Sequence, residues 1–433
     1  MSKVVISIAL VGLVAGGTAT VVLYSSNLRM EIRAAPDPGA VDDEPPDPGQ
    51  FRVHLVDVDT GLGMLIQGSD FNLIYDGGSR DNRAQGRKNR LLAYLWQAIG
   101  PSGDEDCRPV EDGVGAAPGT QLTIQNLVLS HPHQDHAVLL PDVLRCYDVE
   151  VVWDSGAIND TKMYREFLQA VAAEPGVIYR TALAPPADRT VTVNGASITM
   201  ATWEQFAEGG PPITLGTNAT MRILHADGAA HSDPNENSIV LRLDLGQTSM
   251  LLMGDGESGQ RMEPAQADGV TTNPLGDIEE HLVTTYPTEI DVDILQVGHH
   301  GSETSSLLGF LKAVSPDVAL LSSGGFKYGS KVLPDQSVVD MLESEEDRIV
   351  LRTDQLDAHT PGVDESDRCG SDTNKIGDDN DTKDGGCNSW IIDLDDGVEE
   401  PCCRTCTKKA CGDGCIAATS TCWKPPGCAC GPT

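Results

Sequence analysis

The sequence predicts an α/β sandwich: two mixed sheets packed together, each flanked by helices on its outer face. Three observations carry this. Short segments rich in Val, Ile and Leu recur in both halves of the chain, each followed by a polar or Gly-containing loop. Segments with apolar residues at helical spacing lie between them. Aromatics make up only 4% of the 433 residues, whereas Gly 45 and Pro 26 allow generous loops.

The elements follow in order. Lys3 precedes an uncharged, almost unbroken apolar run at 4–24. About 20 apolar residues suffice to cross a bilayer, so residues 1–28 are expected to be a signal peptide or an uncleaved signal anchor. Residues 29–50 are expected to be a linker, because the Pro, Asp and Gly of 35–50 bury no apolar area. The catalytic body is expected at 51–395 and a Cys-rich tail at 396–433. Strands are predicted at 51–58, 64–67, 72–75, 122–129 and 149–153. The third ends in Asp76-Gly77-Gly78. Leu91, Leu92, Leu95 and Trp96 mark a helix over 87–98. Asp160 is placed as the cap of a helix running to Ala173, with Tyr164, Phe167, Leu168 and Val171 on one face. Asn194-Gly195 between β-branched residues signals a hairpin at 191–200. Further strands are predicted at 221–224, 238–245, 249–253, 293–297, 318–321, 349–352 and 389–394. An acidic insertion, about 364–386, interrupts the last pair. Asp378, Asn380, Thr382 and Asp384 alternate there like a calcium loop, but the closing Glu is missing, which favours a solvated segment.

Net charge is −35, from 65 acidic and 30 basic side chains. A field of that sign repels polyanions, and no basic stripe offsets it, so nucleic acid is disfavoured as a partner. Eight of the twelve cysteines fall in the last 32 residues. Such density reads as a disulfide framework in an oxidising compartment, hence as an exported protein at the cell surface or in the periplasm. The competing reading is a zinc module, since Cys403-x-x-Cys406 has ligand-like spacing, but no well-spaced second pair follows.

The strongest chemical signal is Ser130-His131-Pro132-His133-Gln134-Asp135-His136 at a strand end. Three imidazoles and a carboxylate within six residues are costly to hold together without a metal. Imidazole nitrogen and carboxylate oxygen suit zinc, and with more oxygen manganese or iron. Alternation puts His131 and His133 on one side, while Asp135 and His136 turn toward a second ion. One loop cannot close two sites, so distant strands must contribute. Asp255, in Gly254-Asp255-Gly256-Glu257, follows an apolar strand and suits a bridging carboxylate. His299-His300-Gly301-Ser302 follows the strand at 293–297. Adjacent strand residues point apart, so we take His300 as a metal ligand and His299 as facing substrate; the alternation itself leaves open which is which.

Together these residues resemble the metallo-beta-lactamase superfamily: HxHxDH after a strand, then Gly-Asp, then a strand ending in a late His. More narrowly, the chain is similar to the stand-alone hydrolase domain of ComEC-type DNA-uptake competence proteins. The matching pieces are 56–58, 65–66, 73–78, 130–136, 235–241, 252–255 and 293–302. The resemblance implies the superfamily's αβ/βα sandwich and metal-assisted hydrolysis using one or two ions, zinc first, with Mn²⁺ or Fe as alternatives. It implies that Asp57 is the early aspartate orienting a cluster histidine. It also implies that Asp135 serves catalysis as well as binding, and that Glu257 and His299 handle protons or substrate. A separate superfamily histidine falls in an interval where His225 and His231 are the only candidates; His225 is carried forward as a ligand. The family's second early acid is absent from Asp59-Thr60-Gly61-Leu62, and the resemblance, which covers 51–394, does not imply DNA transport.

Three functions follow. The first is a phosphodiesterase, nuclease-like or acting on a cell-surface phosphodiester. The second is an acyl hydrolase of a lactone, thioester or beta-lactam. The third is an anchored binding protein with a vestigial metal site. The expected partners are a small-molecule or phosphodiester substrate and, through the N-terminal segment, a membrane.

Overall fold

The computed structural model describes residues 44–81, 83–107, 121–266, 277–354 and 389–395, with short strands at 7–9, 20–24, 29–35, 404–405, 409–411, 414–416 and 429–430. Two sheets dominate. The first runs in the order Ser7–Ala9, Thr20–Tyr24, Arg29–Ala35, Ser389–Asp395, Gln50–Leu55, Gly63–Gly68, Phe71–Gly77, Thr123–Leu129, Asp148–Asp154, Ile178–Thr181, Trp203–Gln205. It is antiparallel up to Phe71–Gly77 and parallel from there on. The second runs Ile213–Gly216, Ala219–His225, Val240–Leu245, Thr248–Leu252, Ile294–Gln296, Val318–Leu321, Ile349–Arg352. It too passes from antiparallel to parallel, at Thr248–Leu252.

The layering follows from strands that are apolar on both faces. In the second sheet Met250, Leu252, Ile294, Val318 and Leu320 face the first sheet, against Val53, Met64, Ile66 and Leu73. Their neighbours Leu251, Met253, Leu295, Ala319 and Leu321 face outward. There they meet the helices Asp277–Thr285, Leu308–Val314 and Gln336–Glu343 through Ile278, Leu282, Phe310, Leu311, Val338 and Leu342. The first sheet is covered by Arg90–Ala98, Leu140–Cys146 and Lys162–Ala173, through Leu91, Leu95, Val143, Tyr164 and Phe167. A sheet apolar on both faces must be covered on both, here by the other sheet on one side and by helices on the other, and the result is the expected four-layer sandwich.

Three expectations change. Arg29–Ala35 is a strand rather than linker: Met30 and Ile32 are buried, and the strand pairs with Ser389–Asp395. Its alternation of apolar and charged residues is the reason. The helix Lys162–Ala173 is capped by Thr161, whose hydroxyl accepts from Tyr164 N at 3.2 Å, whereas Asp160 accepts from Asn194 N. The helix expected over 87–98 begins at Arg90, after a 3-10 turn at Gly86–Lys88. In the apolar run, Ser7–Ala9 and Thr20–Tyr24 are paired strands, and among the described residues no helix is long and apolar enough to cross a membrane. The acidic insertion, including Asp378 to Asp384, and Cys369 and Cys387 lie outside the described residues, as does the pairing of the tail cysteines. Gly397–Thr433 forms a separate unit.

Cys107 and Cys146 are joined, closing a loop with a sequence separation of 39. Replacing both with Ser is expected to lower unfolding stability by about 3 kcal/mol, measured by urea denaturation of the oxidised protein.

Glu279 ties two outer helices together. Its buried carboxylate accepts from the backbone N–H of Ser306 and of Leu307, just ahead of the helix Leu308–Val314. Burial, against those two amides, pushes its pKa up from 4.5 to about 8. A raised carboxyl pKa gives stability that is complete below about 4.5 and lost as pH climbs to about 8. The slope is about 1.4 kcal/mol per pH unit at most. Glu279→Gln should therefore gain on the wild type steadily from pH 5 to pH 8 in paired urea titrations; parallel curves would refute the burial argument.

Candidate metal centre

The parallel pairing of Phe71–Gly77 with Thr123–Leu129 sets Asp76 beside Ser130, where the chain enters the histidine cluster. Asp76 accepts from Ser130 N (2.7 Å), Ser130 Oγ (2.7 Å) and His136 Nδ1 (2.8 Å). His136 is thereby turned so that Nε2 faces Asp255 Oδ1 at 3.1 Å. The turn Gln134–Ala137 that carries Asp135 and His136 rests directly on Gly78. A Cβ there would come within 2.3 Å of His136 N and 2.5 Å of Asp135 C, so only glycine allows the approach.

Asp255 sits at the centre. It is buried and lies between two groups: His131, His133 and Asp255, and Asp135, His136 and His300. In each group the ligand atoms lie within 4.8 Å of one another. Asp255 Oδ2 is 3.7 Å from His131 Nε2, while Oδ1 is 3.1 Å from His136 Nε2 and 3.6 Å from His300 Nε2. One carboxylate thus addresses both groups, as expected of a bridge. Three buried atoms, His136 Nε2, His300 Nε2 and Asp255 Oδ1, have no hydrogen-bond partner among the described residues although they converge. Leaving them unmatched costs several kcal/mol, and a divalent cation is the group that satisfies imidazole lone pairs and carboxylate oxygens together. The donor set fits a pair of such ions.

Two of the histidines have charge states that agree with that role, whereas at His136 burial is overcome by Asp255 and Asp76, which hold its ring well above the ordinary histidine range while no ion shares it. Burial, then the neighbouring His136, holds His131 well below the ordinary histidine range, so its ring is neutral as a ligand must be. Burial also lowers His300, against the pull of Asp255. His300 Nδ1 donates to the Ser322 carbonyl at 2.9 Å, leaving Nε2 to face inward.

The adjacent histidines do not point apart. His299 and His300 lie in the left-handed region at φ 45° and φ 52°, which breaks strand alternation and turns both rings toward Asp255. Each left-handed residue of this kind costs about 1–2 kcal/mol. His299 Nδ1 meets Glu257 Oε2 at 2.6 Å and Thr304 Oγ1 at 2.7 Å, and Nε2 lies 3.9 Å from Asp255 Oδ2. Burial opposes the charged ring, but Asp255 and Glu257 prevail and raise His299 to about 9. Asn235 Nδ2 approaches its Nε2 at 3.4 Å.

Two expected residues are elsewhere. The orienting carboxylate on His136 is Asp76 rather than Asp57; Asp57 instead accepts from Asp59 N at 3.0 Å. His225 joins neither group: its Nδ1 donates to the Ser238 carbonyl at 2.7 Å and its ring packs edge-on against His281. Besides Asp76, sequence reasoning missed Tyr328, whose hydroxyl donates to Asp135 Oδ2.

Comparison with known proteins agrees with the geometry. The family model described as Metallo-beta-lactamase superfamily matches residues 56–325. Recombination protein 2 of Haemophilus influenzae is 26% identical over 293 residues, which is 67% of this chain and 26% of that protein. ComE operon protein 3 of Bacillus subtilis is 31% identical over 133 residues, 31% of this chain and 14% of that protein. The chain thus spans about a quarter or less of the length of these curated relatives. Among solved structures, the metallo-beta-lactamase fold protein YhfI from Bacillus subtilis aligns at 13% identity and TM-score 0.37, covering 70% of this chain and 95% of that one. With a family model spanning 56–325 and two groups of His and Asp donors, the Asp255 of one also facing the histidines of the other, the chain belongs to the metallo-beta-lactamase superfamily.

Proposed function

We propose that this chain is a metal-dependent phosphodiesterase, with one ion on His131, His133 and Asp255 and a second on Asp135, His136, His300 and Asp255. The observation carrying the reading is that Asp255 of one three-donor group also faces His136 and His300 of the other, with the His299–Glu257 pair beside it. Four imidazoles and two carboxylates suit zinc, with Mn²⁺ or Fe as alternatives. Bound there, the ions lower the pKa of a water toward about 7 and offset charge growing on the attacked group.

The protein's own contribution is orientation and proton handling. Asp76 and the Ser322 carbonyl hold His136 and His300 by Nδ1, so each presents only Nε2. Glu257 and Thr304 do the same for His299, which offers a proton at Nε2 to a phosphoryl oxygen or the departing alkoxide. An anionic substrate must overcome the net charge of −35. The hairpin of Lys327–Tyr328 and Lys331–Val332 helps, because Lys327 and Lys331 are exposed on it and Arg80 lies over the ring of Phe326 at 5.3 Å. The name of Recombination protein 2 ties that protein to recombination, which adds oligonucleotides to the substrates worth comparing with cell-surface phosphodiesters. The disulfide Cys107–Cys146 supports export to an oxidising compartment.

The test is turnover of bis-(p-nitrophenyl) phosphate beside a lactone and a beta-lactam, before and after chelation. Phosphodiester turnover that chelation removes and metal restores is expected. Turnover of the acyl substrates alone would overturn the phosphodiesterase reading.

A further inference from the structure

Tyr328 stands on a strand of two residues, Lys327–Tyr328, paired with Lys331–Val332. Its hydroxyl reaches into the metal centre and donates to Asp135 Oδ2. The hydrogen bond is anchored at both ends by one loop. Asp135's own carbonyl accepts from Leu62 N at 3.0 Å. Behind the phenol, Phe326 packs edge-on at 5.1 Å, and its amide donates to Thr60 Oγ1 at 2.9 Å. Gly324 is pressed against the same loop: a Cβ there would meet Thr60 N at 2.5 Å. The donor and the acceptor are therefore tied to residues 60–62, which makes their meeting a product of the fold rather than of a free side chain finding a partner.

A carboxylate rotates easily about its Cβ–Cγ bond. Asp135 has two oxygens to offer, and His136 and His300 sit on turns that follow separate strands. A donor fixed on one oxygen selects one rotation. We propose that Tyr328 is a positioning residue for the second group, holding Asp135 in the orientation that meets an ion shared with His136 and His300. This rests on the metal-binding reading above. Groups that hold a ligand in this way typically contribute 10- to 100-fold to metal affinity.

Tyr328→Phe keeps the ring packed on Phe326 and removes only the hydroxyl. It is tested in two single-site backgrounds of the full chain: His133→Ala, which retains the second group, and His300→Ala, which retains the first. Mn²⁺ is titrated and free ion followed by electron paramagnetic resonance. In His133→Ala, Tyr328→Phe is expected to weaken binding about tenfold or more. In His300→Ala it should leave binding unchanged. Equal affinity with and without the hydroxyl in His133→Ala overturns the proposal. So does an equal loss in both backgrounds with a lowered metal-free melting temperature, which would make the hydroxyl a general stabiliser of the hairpin. If the unmodified chain binds no Mn²⁺ or Zn²⁺, the metal reading falls first and this proposal with it.

Discussion

Asp255→Asn is expected to remove both ions together, because one carboxylate faces both groups. The contrast is with His133→Ala, which touches only the first group and should leave the second ion in place. Loss of metal removes several kcal/mol of charge stabilisation, so at about 1.4 kcal/mol per tenfold the turnover of Asp255→Asn should fall on the order of 10³-fold or more. The fold should survive. Asp255 sits at a strand end among polar groups, and Asn fills the same volume; it also relieves a buried carboxylate of its charge once the ions are gone. Elemental analysis with turnover on the same samples checks this. Asp255→Asn retaining one full equivalent would refute the bridging role.

The second large effect is expected at His299. It is held by Glu257 and Thr304, faces Asp255, and belongs to neither three-donor group. His299→Gln should lower kcat about 10²- to 10⁴-fold, as general-acid contributions do, while metal content and melting temperature stay within error. Glu257→Gln should have a smaller effect in the same direction, since it acts through the ring it orients. If His299→Gln lost metal in step with activity, the ring would be a ligand and the proton-handling role would be wrong.

The sandwich and most of its central strands were legible in the sequence, whereas the helices Leu140–Cys146, Asp277–Thr285, Leu308–Val314 and Gln336–Glu343 were not. Runs such as Ser249 to Met253 or Asp293 to Val297 alternate between two apolar faces, and that pattern admits few structures other than a sheet covered on both sides. The cluster from His131 to His136 was legible for a different reason, since no common packing role gathers three imidazoles in six residues. What escaped depends on pairing between distant strands. Asp57 and Asp76 both precede the cluster at strand ends. Only the register of Phe71–Gly77 against Thr123–Leu129 gives His136 to Asp76. His225 was reached by elimination, and a hydrogen bond to the Ser238 carbonyl keeps its Nδ1 occupied outside both groups. Tyr328 sits on a strand too short to show any period. Thr161 and Asp160 are both good caps one residue apart, and the hairpin turn at Asn194 takes the latter. The orientation of the two late histidines could not come from alternation at all, because left-handed backbone at both positions suspends it.

The most direct test of the central claim is the metal content of the whole chain after mild purification and saturation with Zn²⁺ or Mn²⁺, with Asp255→Asn alongside. Two equivalents in the natural sequence, both absent from a folded Asp255→Asn, is the predicted result. A folded natural chain that takes up no metal at saturating concentration would contradict it.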